Sequence, residues 1–138
     1  MKVVVQRVLS AAVRTGDGEV SRIGEGMLVL LGVARGDTGE TARLLARKVK
    51  ALRIFSDRQG RLAEALGERE ILCVSQFTLL GDVSRGNRPG FGNAAPAEEA
   101  EPIYELFCEE IGASKGAFGE EMSIDTILDG PVTIEIEA

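Results

Sequence analysis

The sequence contains no histidine. That absence removes the Ser-His and Cys-His catalytic pairs and every zinc site that needs an imidazole. Cysteine is scarce as well. Cys73 and Cys108 are the only two, too few for a four-thiolate metal site or a disulfide framework. Their apolar neighbours suit two buried thiols in a cytosolic protein. Any proton transfer must therefore use a carboxylate, a lysine, water or the substrate itself, and nothing in the pattern requires a metal or a cofactor. Positive charge is in deficit: 16 Lys and Arg stand against 22 Asp and Glu, for a net charge of −6. This argues against long, sequence-independent contact with a nucleic-acid backbone but leaves room for a local basic patch at one RNA end. No apolar run approaches the roughly 20 residues of a membrane span. Arg7 cuts the opening apolar run short, so the start does not read as a signal peptide.

What is present suits one domain over residues 1–138 with a moderate core: 44% of the residues are apolar and 28% charged. Residues 2–14 alternate loosely and are rich in valine, as a strand is. Thr15–Gly18 reads as a turn, with 19–23 as the returning hairpin strand. The apolar run 27–33 reads as a strand covered on both faces. Asp37 followed by Glu40 reads as a capping box opening a helix to about Leu52, with Arg43, Arg47 and Lys50 as a basic stripe. Residues 52–56 read as a strand and 61–70 are ambiguous. Residues 71–79 read as a strand. A second helix opens at Pro96 and ends at Gly112, with Pro102 kinking it or delaying its start. A glycine-rich linker spans 114–120. Residues 122–128 and 132–137 read as two strands joined by a turn at Asp129-Gly130-Pro131. The expected class is α+β: a mixed, mainly antiparallel sheet curled into a barrel or half-barrel with two helices against it.

Three stretches carry the chemistry. Ile71–Leu79 begins apolar and then sets Ser75, Gln76 and Thr78 around Phe77 where the strand would leave the core. Polar groups there imply either a hydrogen-bonded turn or a site. The long segment Gly81–Asn93 carries Arg85, Arg88 and Phe91. It is either a flexible surface loop or a place that holds a phosphate and stacks a base. At Gly130-Pro131 the bare backbone lets carbonyls approach a ligand closely, although an ordinary turn has the same composition.

Together these stretches resemble the D-aminoacyl-tRNA deacylase family of the D-Tyr-tRNA(Tyr) deacylase type. The resemblance rests on Ser75-Gln76-Phe77-Thr78-Leu79 with Gly130-Pro131-Val132-Thr133. It is joined in order by Gln6-Arg7-Val8, Gly32-Val33, Arg53 to Asp57, Arg88-Pro89-Gly90-Phe91 and Phe118 to Met122. It covers essentially the whole chain. Three features depart from the family pattern: Leu128 in place of the usual asparagine, a short 62–70 segment without a Met-Asn pair, and Gly90 in place of serine.

The resemblance implies a homodimer that hydrolyses the ester joining a D-amino acid to the terminal adenosine of tRNA. Ser75, Gln76, Phe77 and Thr78 would line the pocket. Gly130 and Pro131, joined by a cis bond and flanked by Val132 and Thr133, would enter it from the partner subunit, with Arg7 holding that turn. Phe91 would add a wall for the substrate. Rejection of L side chains by main-chain carbonyls would leave glycine acceptable, including glycine mischarged on tRNA(Ala). Thr78 would act either as a nucleophile or as an orienting group for a reaction assisted by the substrate's 2′-hydroxyl; the lack of a visible base favours the second. Two other readings remain: a related tRNA-editing deacylase with a different aminoacyl specificity, and a non-catalytic dimer that binds an RNA end.

Overall fold

A computed structural model describes residues 1–138. In chain order the elements are β1 (Lys2–Thr15), β2 (Gly18–Ile23), β3 (Gly26–Gly32), α1 (Gly39–Lys50), β4 (Phe55–Ser56), β5 (Leu62–Glu64) and β6 (Glu70–Ser75). A short 3₁₀ turn (Phe77–Leu80) follows, then α2 (Ala97–Ile111), β7 (Ser114–Lys115) and β8 (Ser123–Glu137).

The valine-rich β1 is the spine. One of its edges pairs antiparallel with β3 through Lys2 to Val8 and with β2 through Ala11 to Thr15. The other edge pairs antiparallel with β8 along nearly its whole length. β6 joins β3 in parallel, and β7 joins β6 in parallel. The result is the expected class, a mixed and mainly antiparallel sheet nearly closed into a barrel with two helices against it. Alternation along the strands explains the packing. Met27, Val29 and Leu31 of β3 join the helices in the main core, while Leu28 joins Val8, Val13, Leu72 and Val74 in a second core inside the curl. Each fully buried side chain of this kind contributes about 1.5–3 kcal/mol.

Several local expectations are corrected. The cap of α1 is Thr38, whose hydroxyl accepts the Thr41 N–H at 3.3 Å. Asp37 is occupied elsewhere, by the Ala34 N–H at 2.7 Å and the Met1 ammonium at 2.9 Å. Only Phe55 and Ser56 of the 52–56 run pair as a strand, with β5 from the ambiguous segment. Part of the expected linker, Ser114–Lys115, pairs with β6. Pro102 lies inside α2 without delaying its start. The N–H it lacks would have met the carbonyl of Glu98, which lies on an exposed flank of the helix.

The largest corrections concern the two marked stretches. The 71–79 strand stops at Ser75 and the chain folds into the 3₁₀ turn, anchored by the Gln76 N–H on the Leu31 carbonyl at 2.7 Å. That fold-back needs a bare end on β3: a Cβ on Gly32 would lie 2.5 Å from Leu80 Cδ2 and 3.0 Å from the Gln76 carbonyl. Asp129-Gly130-Pro131 is not a turn between two strands. β8 continues through it as a bulge, in which Arg7 alone of β1 faces Asp129 to Val132. The Gly130-Pro131 peptide is cis.

Tyr104, fully buried, donates its hydroxyl to the Cys73 carbonyl at 2.8 Å, which also receives the Gly116 N–H at 3.0 Å. Its ring packs 5.6 Å from that of Phe118. Tyr104→Phe keeps the ring and leaves Cys73 one donor, so it should cost about 1 kcal/mol. Tyr104→Ala should cost about 3–5 kcal/mol. Urea midpoints at unchanged slope check both values.

Candidate functional site

Where β6 leaves the sheet, the chain turns away and opens a cavity of about 560 Å³. Ser75, Gln76 and Phe77 form one wall, Ala95, Ala97 and Ala100 at the start of α2 a second, and Phe118 to Met122 a third. Each wall is tied to the sheet. Ala95 donates its N–H to the Val33 carbonyl at 3.0 Å, and Gly116 donates to Cys73 as above. The small alanines leave the room, and Phe118 and Met122 make the lining mainly apolar. Glu120 and Glu121 supply carboxylates on the third wall, and neither enters an ion pair.

Thr78 lies just outside the cavity lining, exposed on the 3₁₀ turn. The Gln76 side-chain amide donates to its hydroxyl oxygen, which leaves the Thr78 O–H proton free to point outward. As the first residues of the turn, Phe77 and Thr78 have N–H groups that cannot be paired within it. Phe91 reaches the same corner: its ring meets that of Phe77 edge-on, centroids 5.1 Å apart. Behind the site, burial pushes the Cys73 thiol and the Tyr104 hydroxyl well above their ordinary values, so both remain protonated at neutral pH. Nowhere do three or more Cys, Asp or Glu side chains converge as metal ligands.

The other predicted residues sit elsewhere. Gly130, Pro131 and Thr133 are exposed on β8, and Val132 is half-buried against the main core. Arg7 is buried behind them. Its Nε donates to the Asp129 carbonyl at 3.1 Å and faces the Asp129 carboxylate at 3.2 Å. Its Nη1 donates to the Ile54 carbonyl at 2.8 Å and to Ser56 Oγ at 3.3 Å. Gly130 has φ +115°, and a Cβ there would lie 2.8 Å from Arg7 Nη2. The register separates this group from the cavity. Ser75 stands level with Leu31, Val3 and Ile136, whereas the dipeptide stands level with Arg7 and Met27. Three strand spacings and four residues along the strand make about 20 Å over the sheet. Within one chain the two motifs do not meet.

The family model for D-Tyr-tRNA(Tyr) deacylase matches residues 4–137. The chain belongs to the D-Tyr-tRNA(Tyr) deacylase family. It is 47% identical to the D-aminoacyl-tRNA deacylase of Anaeromyxobacter dehalogenans, over 100% of this chain and 97% of that protein. It is 48% identical to the protein of the same name from Chlorobium limicola, over 99% and 97%. Among solved structures, a c-Myc DNA unwinding element binding protein superposes with a TM-score of 0.93 at 42% identity, over 100% of this chain and 99% of that one. A probable eukaryotic D-amino acid tRNA deacylase shares the fold, with a TM-score of 0.82 at 18% identity over 98% and 97%.

Sequence reasoning missed two of the three cavity walls. Phe118 to Met122 counted toward the family resemblance but fell next to a segment read as linker. The signal available was an aromatic and a methionine in a glycine-flanked stretch. The alanines of α2 carry no signal in one sequence, because alanine is also the commonest helix filler.

Arg7→Met would remove every donor now aimed at Asp129, Ile54 and Ser56. It should cost about 2–3 kcal/mol, less than a fully buried pair because Asp129 is partly exposed. Arg7→Lys should recover under about half of that loss, since one ammonium cannot reproduce the forked geometry. Denaturant titration of the three proteins checks the order.

Proposed function

We propose that this chain hydrolyses the ester between a D-amino acid and the terminal adenosine of tRNA, releasing the free amino acid and tRNA. The observation that carries the reading is the match over residues 4–137 of a chain whose Ser75-Gln76-Phe77 wall borders a cavity open to solvent. An aminoacyl ester is already activated, so the protein need only place water, polarise the carbonyl and stabilise an oxyanion. Water adds to the carbonyl carbon as the adjoining 2′-hydroxyl takes up its proton. The ester C–O bond then breaks, and that hydroxyl passes a proton to the leaving ribose oxygen, so it ends as it began. The Phe77 and Thr78 N–H groups, unpaired within the turn, are the donors assigned in this proposal to the developing oxyanion. Carboxylates at Glu120 and Glu121 suit the positive charge of the substrate's α-ammonium.

Thr78 orients rather than attacks. A nucleophilic hydroxyl needs a base that removes its proton. Here the neighbour is an amide that donates to the hydroxyl oxygen and occupies a lone pair.

The active unit in this proposal is a homodimer in which Gly130 and Pro131 enter the partner's cavity. Two features support it. The dipeptide is exposed and about 20 Å from its own cavity along the sheet. Beside it lies an exposed apolar group, with Leu9 at 51%, Ile127 at 58% and Leu128 at 42% accessible. Carbonyls on that bare backbone leave room for a side chain on one face of the α-carbon and exclude the other hand. Glycine escapes the clash, so glycyl esters are cleaved too, including glycine mischarged on tRNA(Ala). Val132 and Thr133 hold the dipeptide in the strand, Arg7 backs it, and Phe91 extends the aromatic wall. No helix is long and apolar enough to cross a membrane, and we place the protein in the cytoplasm with its tRNA substrate. DNA binding, for which one solved relative is named, is disfavoured for this chain by the net charge of −6.

Two outcomes test this. Purified protein should deacylate D-tyrosyl-tRNA and leave L-tyrosyl-tRNA intact over the same period; cleavage of the L ester alone would defeat the reading. Thr78→Ala should lower kcat by less than about tenfold, or 1.4 kcal/mol. Abolished activity together with an acyl-enzyme trapped in the unmodified protein would make Thr78 the nucleophile instead.

A further inference from the structure

We propose that Arg85 and Arg88 grip phosphodiesters in the single-stranded 3′ end of the substrate tRNA. This rests on the tRNA-deacylase reading above.

With a net charge of −6, the protein cannot hold RNA by diffuse attraction. Phosphate contacts have to be local. Half of its 16 Lys and Arg are already occupied. Arg7, Arg14, Arg22, Arg43, Arg61, Arg69, Lys2 and Lys115 are all in ion pairs. Of the eight without such a partner, Arg53 is tied to the Ala63 carbonyl at 2.7 Å and Arg35 to the Gly92 carbonyl at 2.9 Å; the other six fall into three places. Arg47, Lys48 and Lys50 end α1. Gly39 sits against Leu106 and Arg43 pairs with Glu110 at 3.4 Å, so α1 and α2 run in the same sense. The end of α1 therefore lies beyond Ile111, about 20 Å from the start of α2 that lines the cavity. Arg58 lies between β4 and β5, beside the Arg7 group rather than the cavity.

Arg85 and Arg88 are the remaining pair, and the fold attaches them to the cavity mouth. Asp82 and Gly90 exchange both N–H···O=C bonds, at 2.8 and 2.9 Å, which closes the loop between them. Directly after Gly90 comes Phe91, packed on Phe77, itself a cavity wall. Arg35 pins the outgoing limb: its Nε donates to the Gly92 carbonyl at 2.9 Å and its N–H to the Asn93 carbonyl at 3.0 Å. The one acid in the loop, Asp82, is turned to the Ser84 N–H at 2.9 Å, and that bond holds its carboxylate below the usual range. No carboxylate pairs with either arginine. Two exposed guanidiniums on a tied-down loop beside a cavity that takes the last nucleotide match the phosphates that precede that nucleotide.

The test compares wild type with the double variant Arg85→Gln/Arg88→Gln. Binding of uncharged tRNA is measured by fluorescence anisotropy across a salt series. Hydrolysis is measured on D-tyrosyl-tRNA and on D-tyrosyl-adenosine, which has no phosphodiester. The double variant should bind tRNA at least about tenfold more weakly, with a salt slope smaller by about 1.4 for two single-strand phosphates. KM for the tRNA ester should rise with kcat unchanged, and turnover of the adenosine ester should match wild type. An unchanged slope and KM would overturn the proposal. So would an equal loss on both substrates, or a double variant that sediments as a monomer, which would assign the loop to a subunit contact. A wild type that binds tRNA through these arginines yet cleaves neither ester would defeat the deacylase reading and leave the grip standing.

Discussion

One buried guanidinium governs the shape of the outer strand. β8 carries more residues than β1 can pair over the Gln6 to Val8 stretch, and the excess is gathered opposite Arg7. Bulged-out backbone must find partners or be wet. Arg7 supplies them. It holds the Asp129 carbonyl and carboxylate from behind while anchoring itself to Ile54 and Ser56. With the inner side secured, Gly130 and Pro131 are left facing outward on an otherwise regular strand. The same contact fixes the residue type at 130, where any side chain would collide with the guanidinium.

That arrangement leaves the proposed site in two parts. The cavity at the end of β6 has a wall of polar and aromatic groups, and the exposed dipeptide lies on the far side of the same sheet. A continuous β-sheet is stiff and cannot fold one onto the other. A two-fold arrangement of two copies can bring them together twice. This division suits a protein without imidazole. In the proposed mechanism, main chain held rigidly by the fold would do the sorting, and a labile ester with its neighbouring hydroxyl would supply much of the reactivity.

The sequence reading succeeded where periodicity decides and failed where distant partners decide. The loose alternation along 2–14, the unbroken apolar run 27–33 and the capping signal before α1 are local, and each element is present. Asp37 and Thr38 are equally good caps in isolation. Only the fold reveals that Asp37 is taken by Met1 and Ala34. Asp-Gly-Pro has turn composition whether or not the chain turns, and here the β1 ladder on both sides carries the strand on past a bulge. The end of the 71–79 run depends on the bare Gly32 across the sheet, a contact between residues more than forty positions apart. At the site, the polar cluster at Ser75 to Thr78 read alone as either a capped turn or a site, and only its pairing with Gly130-Pro131 in the family resemblance pointed to a site. The alanine wall was not legible, because small residues announce space only after the fold has placed them.

The central claim is that the cavity of one copy is completed by the backbone of another. The direct measurement uses a doubly tagged heterodimer, isolated after co-expression. One subunit carries Gln76→Ala with Phe77→Ala, and the other carries Pro131→Ala. If the parts are shared across subunits, one of the two sites is wholly unaltered, and D-tyrosyl-tRNA should be hydrolysed at about half the wild-type rate although both mutant homodimers are nearly inactive. A heterodimer no more active than the mean of those homodimers would contradict the account.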